Sequence, residues 1–228
     1  MYQTEEKVTD FKKFQKPTIP QKITRELSYF LGLVSTDGHL QVVKEKGLYR
    51  LIMCTSEKEE VDLIIKLIFD LFNYKASVRL RKTGFDNSRP NYEVYIYSKT
   101  VTFFINSLGI PLGAKSNNIR LPELFFDKED LIWDYIRGVF DGDGSIIFSG
   151  YNHIFKITSG SLQFLNDLNI IFAKKGFNKF KIWKDSRGSV WDLKNNTKTE
   201  ISRLYKEIYK DSSFFYPRKK TKWSKQYI

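Results

Sequence analysis

Apolar positions along this chain follow two rhythms, and the order of the rhythms occurs twice. From Thr24 an apolar run closes at Asp37-Gly38, with Ser28, Gly32 and Thr36 at i, i+4 and i+8. That spacing puts three small residues on one face of a helix. After Gly38 the period shortens to two. His39 to Lys44 and Leu48 to Cys54 alternate about Glu45-Lys46-Gly47, which predicts a hairpin. Ser56 with Glu59 three residues on reads as a capping box, and Val61, Ile64, Ile65, Ile68, Leu71 and Phe72 form a helical stripe running to Asn73. A second hairpin turns Val78 and Leu80 inward and Arg79 and Arg81 outward, crosses a loop from Gly84 to Pro90, and returns as Tyr92 to Tyr97. A helix from Thr100 to Leu108 ends at Gly109.

One unit is thus helix, two strands, helix, two strands, helix. Pro111, Gly113 and Pro122 mark 111–127 as a linker, and the order then repeats: helix 129–142, strands near 145–158, helix 161–175, strands near 179–194 and helix 196–210. Residues 1–20, with Lys12, Lys13 and Lys16 before Pro17 and Pro20, form a basic arm, either a solvated tail or a segment that touches a nucleic-acid backbone. The predicted division is arm 1–20, first repeat 21–110, linker 111–127 and second repeat 128–228. The predicted class is α+β, a duplicated α-β-β-α-β-β-α unit. Its two antiparallel four-stranded sheets carry helices on one face and lie side by side as a saddle with a basic face open.

Matched features support a duplication. Asp37 and Asp143 stand 106 positions apart (143 less 37), and Thr55-Ser56, Ser77 to Lys82 and Leu112 to Ser116 have counterparts in Thr158-Ser159, Lys179 to Lys184 and Pro217 to Thr221 at nearly that offset. Each motif run, Phe30 to Gly38 and Ile136 to Gly144, closes on an acid followed by Gly, as a helix does at a left-handed glycine cap. An acid there faces the negative end of the helix dipole, and two such ends side by side repel. Divalent metal between the carboxylates and the free terminal carbonyls relieves both effects, with Thr36 and Gly142 supplying the carbonyls. Gly138 and Gly142 match the small face of the first helix, so the helices can pack with close axes.

In these residues the chain resembles the LAGLIDADG homing endonucleases of the single-chain, two-motif type, from about Thr24 to Lys222. The resemblance implies the homing-endonuclease fold, with Asp37 and Asp143 binding catalytic metal. The sixth motif position, usually acidic, is Asp141 in one copy and Ser35 in the other. It implies Mg²⁺, which Mn²⁺ can replace, and a monomer making a staggered cut with 3′ overhangs in a long asymmetric DNA target. Lys115 and Lys220 stand in the region where the family carries a basic residue near the active site, as candidates to stabilise phosphate charge, and Lys219 competes with Lys220 because the alignment can slip by one. A different class is also open, an RNA-binding maturase of the same fold that assists intron splicing; a third is a non-catalytic DNA-binding regulator.

Charge agrees with a polyanionic partner: 38 Lys+Arg against 26 Asp+Glu give +12, while 41% hydrophobic residues suffice for a large core. By strand alternation Arg50, Arg79, Arg81, Lys181 and Trp183 face outward, and Lys82, Lys184 and Lys156 join them as DNA-binding candidates. A single cysteine, Cys54, rules out an internal disulfide and fits an intracellular setting, the cytoplasm of a prokaryote or an organelle matrix. Lys66 and Asp70 break the most apolar helix, so membrane spanning is not expected, nor is a signal peptide. His39 and His153 lack zinc-ligand spacing, the Asp141-Gly-Asp143-Gly run departs from a calcium loop at Ile146 and Asn152, and there is no phosphate-cradling loop for ATP. Intein splicing residues are not seen at either end of the chain.

Overall fold

A computed structural model describes residues 16–81, 91–128, 130–149, 152–185 and 188–225. The first repeat runs α1 (Arg25–Asp37), β1 (Gly38–Val43), β2 (Leu48–Thr55), α2 (Lys58–Phe72), β3 (Ser77–Arg81), β4 (Asn91–Tyr97) and α3 (Lys99–Ser107). The second runs α4 (Ile132–Asp143), β5 (Gly144–Ser149), β6 (Asn152–Ser159), α5 (Leu162–Lys174), β7 (Lys181–Lys184), β8 (Trp191–Asn195) and α6 (Lys198–Tyr209). A further helix, α7 (Pro217–Ser224), follows. The sheets have matching orders, β1-β2-β4-β3 and β5-β6-β8-β7, and every ladder is antiparallel.

One continuous apolar core underlies both sheets and encloses α1 and α4. Thr24 caps α1 by accepting the Leu27 N–H, and Ser98 and Ser161 do the same for α3 and α5. Leu51, Met53, Val94 and Ile96 point into the core from the first sheet, as do Phe155, Ile157 and Leu193 from the second. Their alternate neighbours form the opposite, helix-free faces.

Several expectations need correction. The glycines after the motif acids are not left-handed: Gly38 has φ −88° and Gly144 φ −77°, both extended. Each helix passes straight into a strand, and the bend is so tight that a Cβ at Gly38 would lie 2.7 Å from Val34 Cα. Glycine is needed there for space, not for positive φ. The capping box at Ser56 and Glu59 does not form; α2 starts at Lys58 after Glu57, and Thr55 takes the local bonds, accepting the Glu57 N–H at 3.3 Å and donating to Glu60. Val78 and Leu80 do face the helix side, but β3 is an edge strand and they stay 45% and 54% exposed. The 111–127 segment is not a bare tether. Gly113 N–H bonds the Leu40 carbonyl at 2.8 Å, Arg120 holds Asp167 through two bonds of 2.7 and 2.9 Å, and Phe125 packs on Tyr135. The helix α7, absent from the sequence reading, buries Trp223 completely.

Candidate active site and nucleic-acid interface

Two glycines set the distance between α1 and α4. A Cβ on Gly32 would fall 2.9 Å from Gly138 Cα and closer still to the Tyr135 carbonyl, and one on Gly138 would meet Gly32 and the Tyr29 carbonyl in the same way. With backbones this close, the two C-terminal ends reach the surface together. A Cβ on Gly142 would overlap the Thr36 side chain and lie 2.9 Å from Asp37 Oδ2. The acids thus meet where the helices touch.

Both carboxyls are perturbed upward. Burial pushes Asp37 up to about 7, the Asp143 charge adds to this, and Lys115 partly offsets it. Asp143, more open to solvent, is also raised by burial, against the pull of Lys115 and Lys219. Lys115 Nζ donates to the carbonyls of Ser35 and Thr36, both at 2.6 Å, and Lys219 Nζ donates to the Gly144 carbonyl. Each ammonium therefore neutralises the negative end of one motif helix. Burial lowers the pKa of both lysines.

Lys220, the first choice from sequence, lies elsewhere. Its Nζ sits 3.9 Å from the centre of the Phe215 ring and 3.3 Å from Ser212 Oγ. Successive helical residues point about 100° apart, so a one-residue alignment slip moves the side chain off the site. The structural counterpart of Lys115 is Lys219. No sequence signal distinguished the two adjacent lysines; the bond from Lys219 to the Gly144 carbonyl did.

The sixth motif positions are structural. Asp141 is fully buried and accepts from Tyr29 Oη at 2.8 Å, Tyr209 Oη at 3.1 Å and the Tyr216 N–H at 2.7 Å. Burial nevertheless pushes it up to about 7. Ser35 bonds the Leu31 carbonyl at 2.8 Å and the Tyr135 hydroxyl at 2.9 Å. Another residue missed from sequence is Glu60, 2% exposed, which accepts from Arg218 Nε at 2.6 Å and ties α2 to α7 across the repeats. Its charge also raises Asp37.

The site fits a hard divalent cation. Asp37 and Asp143 offer carboxylate oxygens, and the adjoining helix ends offer carbonyls, although that of Thr36 already accepts from Lys115. Among the described residues no group of three or more His, Cys, Asp or Glu side chains gathers in one place. A metal here would have to complete its shell with backbone oxygen, water or substrate, which is the habit of Mg²⁺ and its relatives.

The helix-free faces flank this point. On the first, Arg50, Tyr95 and Tyr97 lie together: the Arg50 guanidinium is 5.2 Å from the Tyr95 ring centre, and Arg79 is 5.8 Å from the same ring. Arg81 reaches Glu93 at 3.3 Å. On the second, Lys156, Lys181, Lys194 and Trp183 share the face through the pairings Lys156↔Lys194, Lys181↔Lys194 and Trp183↔Asp192. Trp183 is 55% exposed. Lys184 is a correction: it pairs with Trp191 on the helix side, its Nζ 5.7 Å from that ring centre, because it is one residue out of phase with Trp183. Lys82 lies outside the described residues. Lys194 was missed, because the register of the later strands was not legible.

No protein-family profile matches the sequence. The "DNA-directed RNA polymerase subunit Rpo1C" of Methanocaldococcus jannaschii is 23% identical over 207 residues, which is 88% of this chain but 21% of that protein. An uncharacterized protein of the same organism is 30% identical over 146 residues, 59% of this chain and 15% of its own length. The chain thus spans about a fifth or less of these relatives. Solved structures align over far more of their length. The homing endonuclease I-DmoI with DNA and Ca superposes at a TM-score of 0.64 and 18% identity, covering 86% of this chain and 96% of the other. I-WcaI bound to its DNA recognition sequence gives 0.59 at 11% identity, covering 87% and 85%. The N-terminal LAGLIDADG domain of WhiA gives 0.57 at 17% identity, covering 82% and 83%. The chain has the LAGLIDADG homing-endonuclease fold.

Proposed function

We propose that this protein is a site-specific, metal-dependent double-strand DNA endonuclease working as a pseudo-symmetric monomer. The carrying observation is the meeting of Asp37 and Asp143 at the touching ends of α1 and α4, each end bearing one half-buried lysine. Support for a DNA partner comes from the fold neighbours, which include endonucleases solved with DNA and with Ca or Mn. A duplex laid across the two sheets brings both strands past the paired carboxylates.

Asp37 and Asp143 would hold Mg²⁺ or Mn²⁺, which when bound would lower the pKa of a water and offset charge on the leaving oxygen of phosphodiester hydrolysis. The protein contributes position and charge. Neither aspartate has to act as a general base. Lys115 spends two of its three N–H bonds on Ser35 and Thr36 and keeps one for a phosphate oxygen. Lys219 stands at the other helix end in the same role. The product is a staggered cut with 3′ overhangs, one strand per motif.

Cleavage of a large pool of random duplex DNA tests this reading. Discrete ends with Mg²⁺ for the wild type, absent with Ca²⁺ and absent for Asp37→Asn and Asp143→Asn, are expected. Tight binding of intron RNA with no discrete ends would replace the nuclease with an RNA-binding maturase.

A further inference from the structure

The two open faces carry equal charge in different chemistry. Among the described strand residues, the first face has three cations, Arg50, Arg79 and Arg81, and one carboxylate, Glu93. The second has Lys156, Lys181 and Lys194 and one carboxylate, Asp192. Glu93 and Asp192 occupy the same place, in β4 opposite Cys54 of β2 and in β8 opposite Thr158 of β6. No lysine stands among the first set and no arginine among the second.

The first face is a guanidinium array whose members rest on neighbouring side chains. Tyr95 and Tyr97 stack at 5.4 Å with an interplanar angle of 8°, and Arg50 lies over both. Arg50 Nε donates to Gln41 Oε1 at 2.6 Å. Tyr95 Oη donates to Glu93, which also holds Arg81. Forks fixed in advance lose little freedom on meeting a base edge, and a planar fork matches the two acceptors of guanine.

Among its described strand residues the second face has no such forks. Asp192, 1% exposed, draws in Lys194 Nζ at 3.0 Å and Lys156 Nζ at 3.6 Å and accepts from Thr158 Oγ1 at 2.6 Å. Ammonium groups are point charges without bidentate geometry. The place of Arg79 is taken by Trp183, and Ile147 adds another exposed apolar side chain, 42% exposed.

We propose that the two half-sites of the DNA target are read unequally: the first sheet discriminates sequence, with guanine under Arg50 and Arg79, while the second contributes a like share of electrostatic affinity with weaker base discrimination. This rests on the reading of the saddle as a DNA-binding surface, and it does not require cleavage. Each bidentate arginine is worth ~1–3 kcal/mol of discrimination, or roughly 5- to 150-fold per base pair.

The test is selection of duplexes bound by the full chain from a random pool in Ca²⁺, followed by measurement of every single base-pair change across the selected site. Expected are guanine positions costing about tenfold or more in one half-site and changes of about threefold or less at the corresponding positions of the other. Arg50→Lys and Arg79→Lys, with folding confirmed by thermal melting, should flatten the discriminating half-site and so assign it to the first sheet. The salt dependence of binding should stay as in the wild type, because the charge is kept. Equal discrimination in both half-sites, a flat profile throughout, or a discriminating half-site unmoved by both lysine variants would overturn the proposal. Discrete cutting with equal half-sites would refute this inference and leave the nuclease standing; asymmetric binding without cutting would do the reverse.

Discussion

At the sixth position of its motif the first repeat carries Ser35 and the second Asp141, in otherwise matching helices. Asp141 gathers Tyr29, Tyr209 and the Tyr216 backbone, whereas Ser35 meets one tyrosine and a carbonyl of its own helix. Two positions further on, both repeats keep aspartate. The contrast separates two kinds of position in a duplicated design: the sixth residue differs along with the partners around it, each set reaching across the repeats, whereas the residue that meets its own twin is aspartate in both copies. A contrast between the repeats recurs on the open faces, where among the described strand residues an arginine array and a lysine array stand at equal charge.

The comparison can be broken most sharply at the twins. Asp37→Asn and Asp143→Asn should each cut double-strand cleavage by ~10³-fold or more with DNA binding in Ca²⁺ retained, as read by gel cleavage and fluorescence anisotropy. Residual nicking of one strand by only one variant would show that the metal positions are independent. Next in size, Asp141→Ala should destabilise by about 3–5 kcal/mol, since it strands two buried hydroxyls and an N–H, whereas Ser35→Ala should cost about 1 kcal/mol. Chemical denaturation measures both, and equal losses would refute the asymmetric account of the sixth position.

Lys115→Ala and Lys219→Ala should each slow cleavage by about 10²-fold, with Lys220→Ala within about threefold of wild type. A large loss at Lys220 would restore the alternative alignment. The smallest effect concerns pH. Asp37 has its pKa raised to about 7 in the folded protein from an ordinary 3.8, so between those values the folded state holds a proton that the unfolded state has lost. Stability from this group is complete below about pH 4 and is lost as pH rises through about 7. Metal-free Asp37→Asn should therefore be more stable than wild type at pH 8 by roughly 1–3 kcal/mol, after allowance for solvent screening, and the gap should shrink by pH 5. Thermal melts at both values, in chelator, measure it.

Much of the architecture was legible in the periods of the sequence. The stripe from Val61 to Phe72, the hairpin about Gly47 and the repeated order of elements translate directly into α2, β1–β2 and two matching sheets, because side-chain periodicity and the burial of one face are local consequences of order along the chain. Asp37, Asp143 and the small residues of the paired helices were equally plain, since a twofold recurrence fixes their equivalence.

What remained hidden depends on atoms brought from elsewhere in the chain. Between Lys219 and Lys220, composition is silent; the choice belongs to α7, whose Trp223 anchors it in the core and turns Lys219 toward Gly144. The place of Lys194 on the open face rests on a strand register set by pairing with Lys156 and Lys181. Glycine at 38 and 144 is visible in the sequence, but its reason is the crowding of Val34 and Phe140 where helix becomes strand. Sequence by itself determined the duplication, the class of fold and the twin acids, because these follow from repetition and period. Only tertiary structure decided which lysine guards each helix end and which cations share a face, because a side chain's direction is settled by the packing of partners distant in sequence.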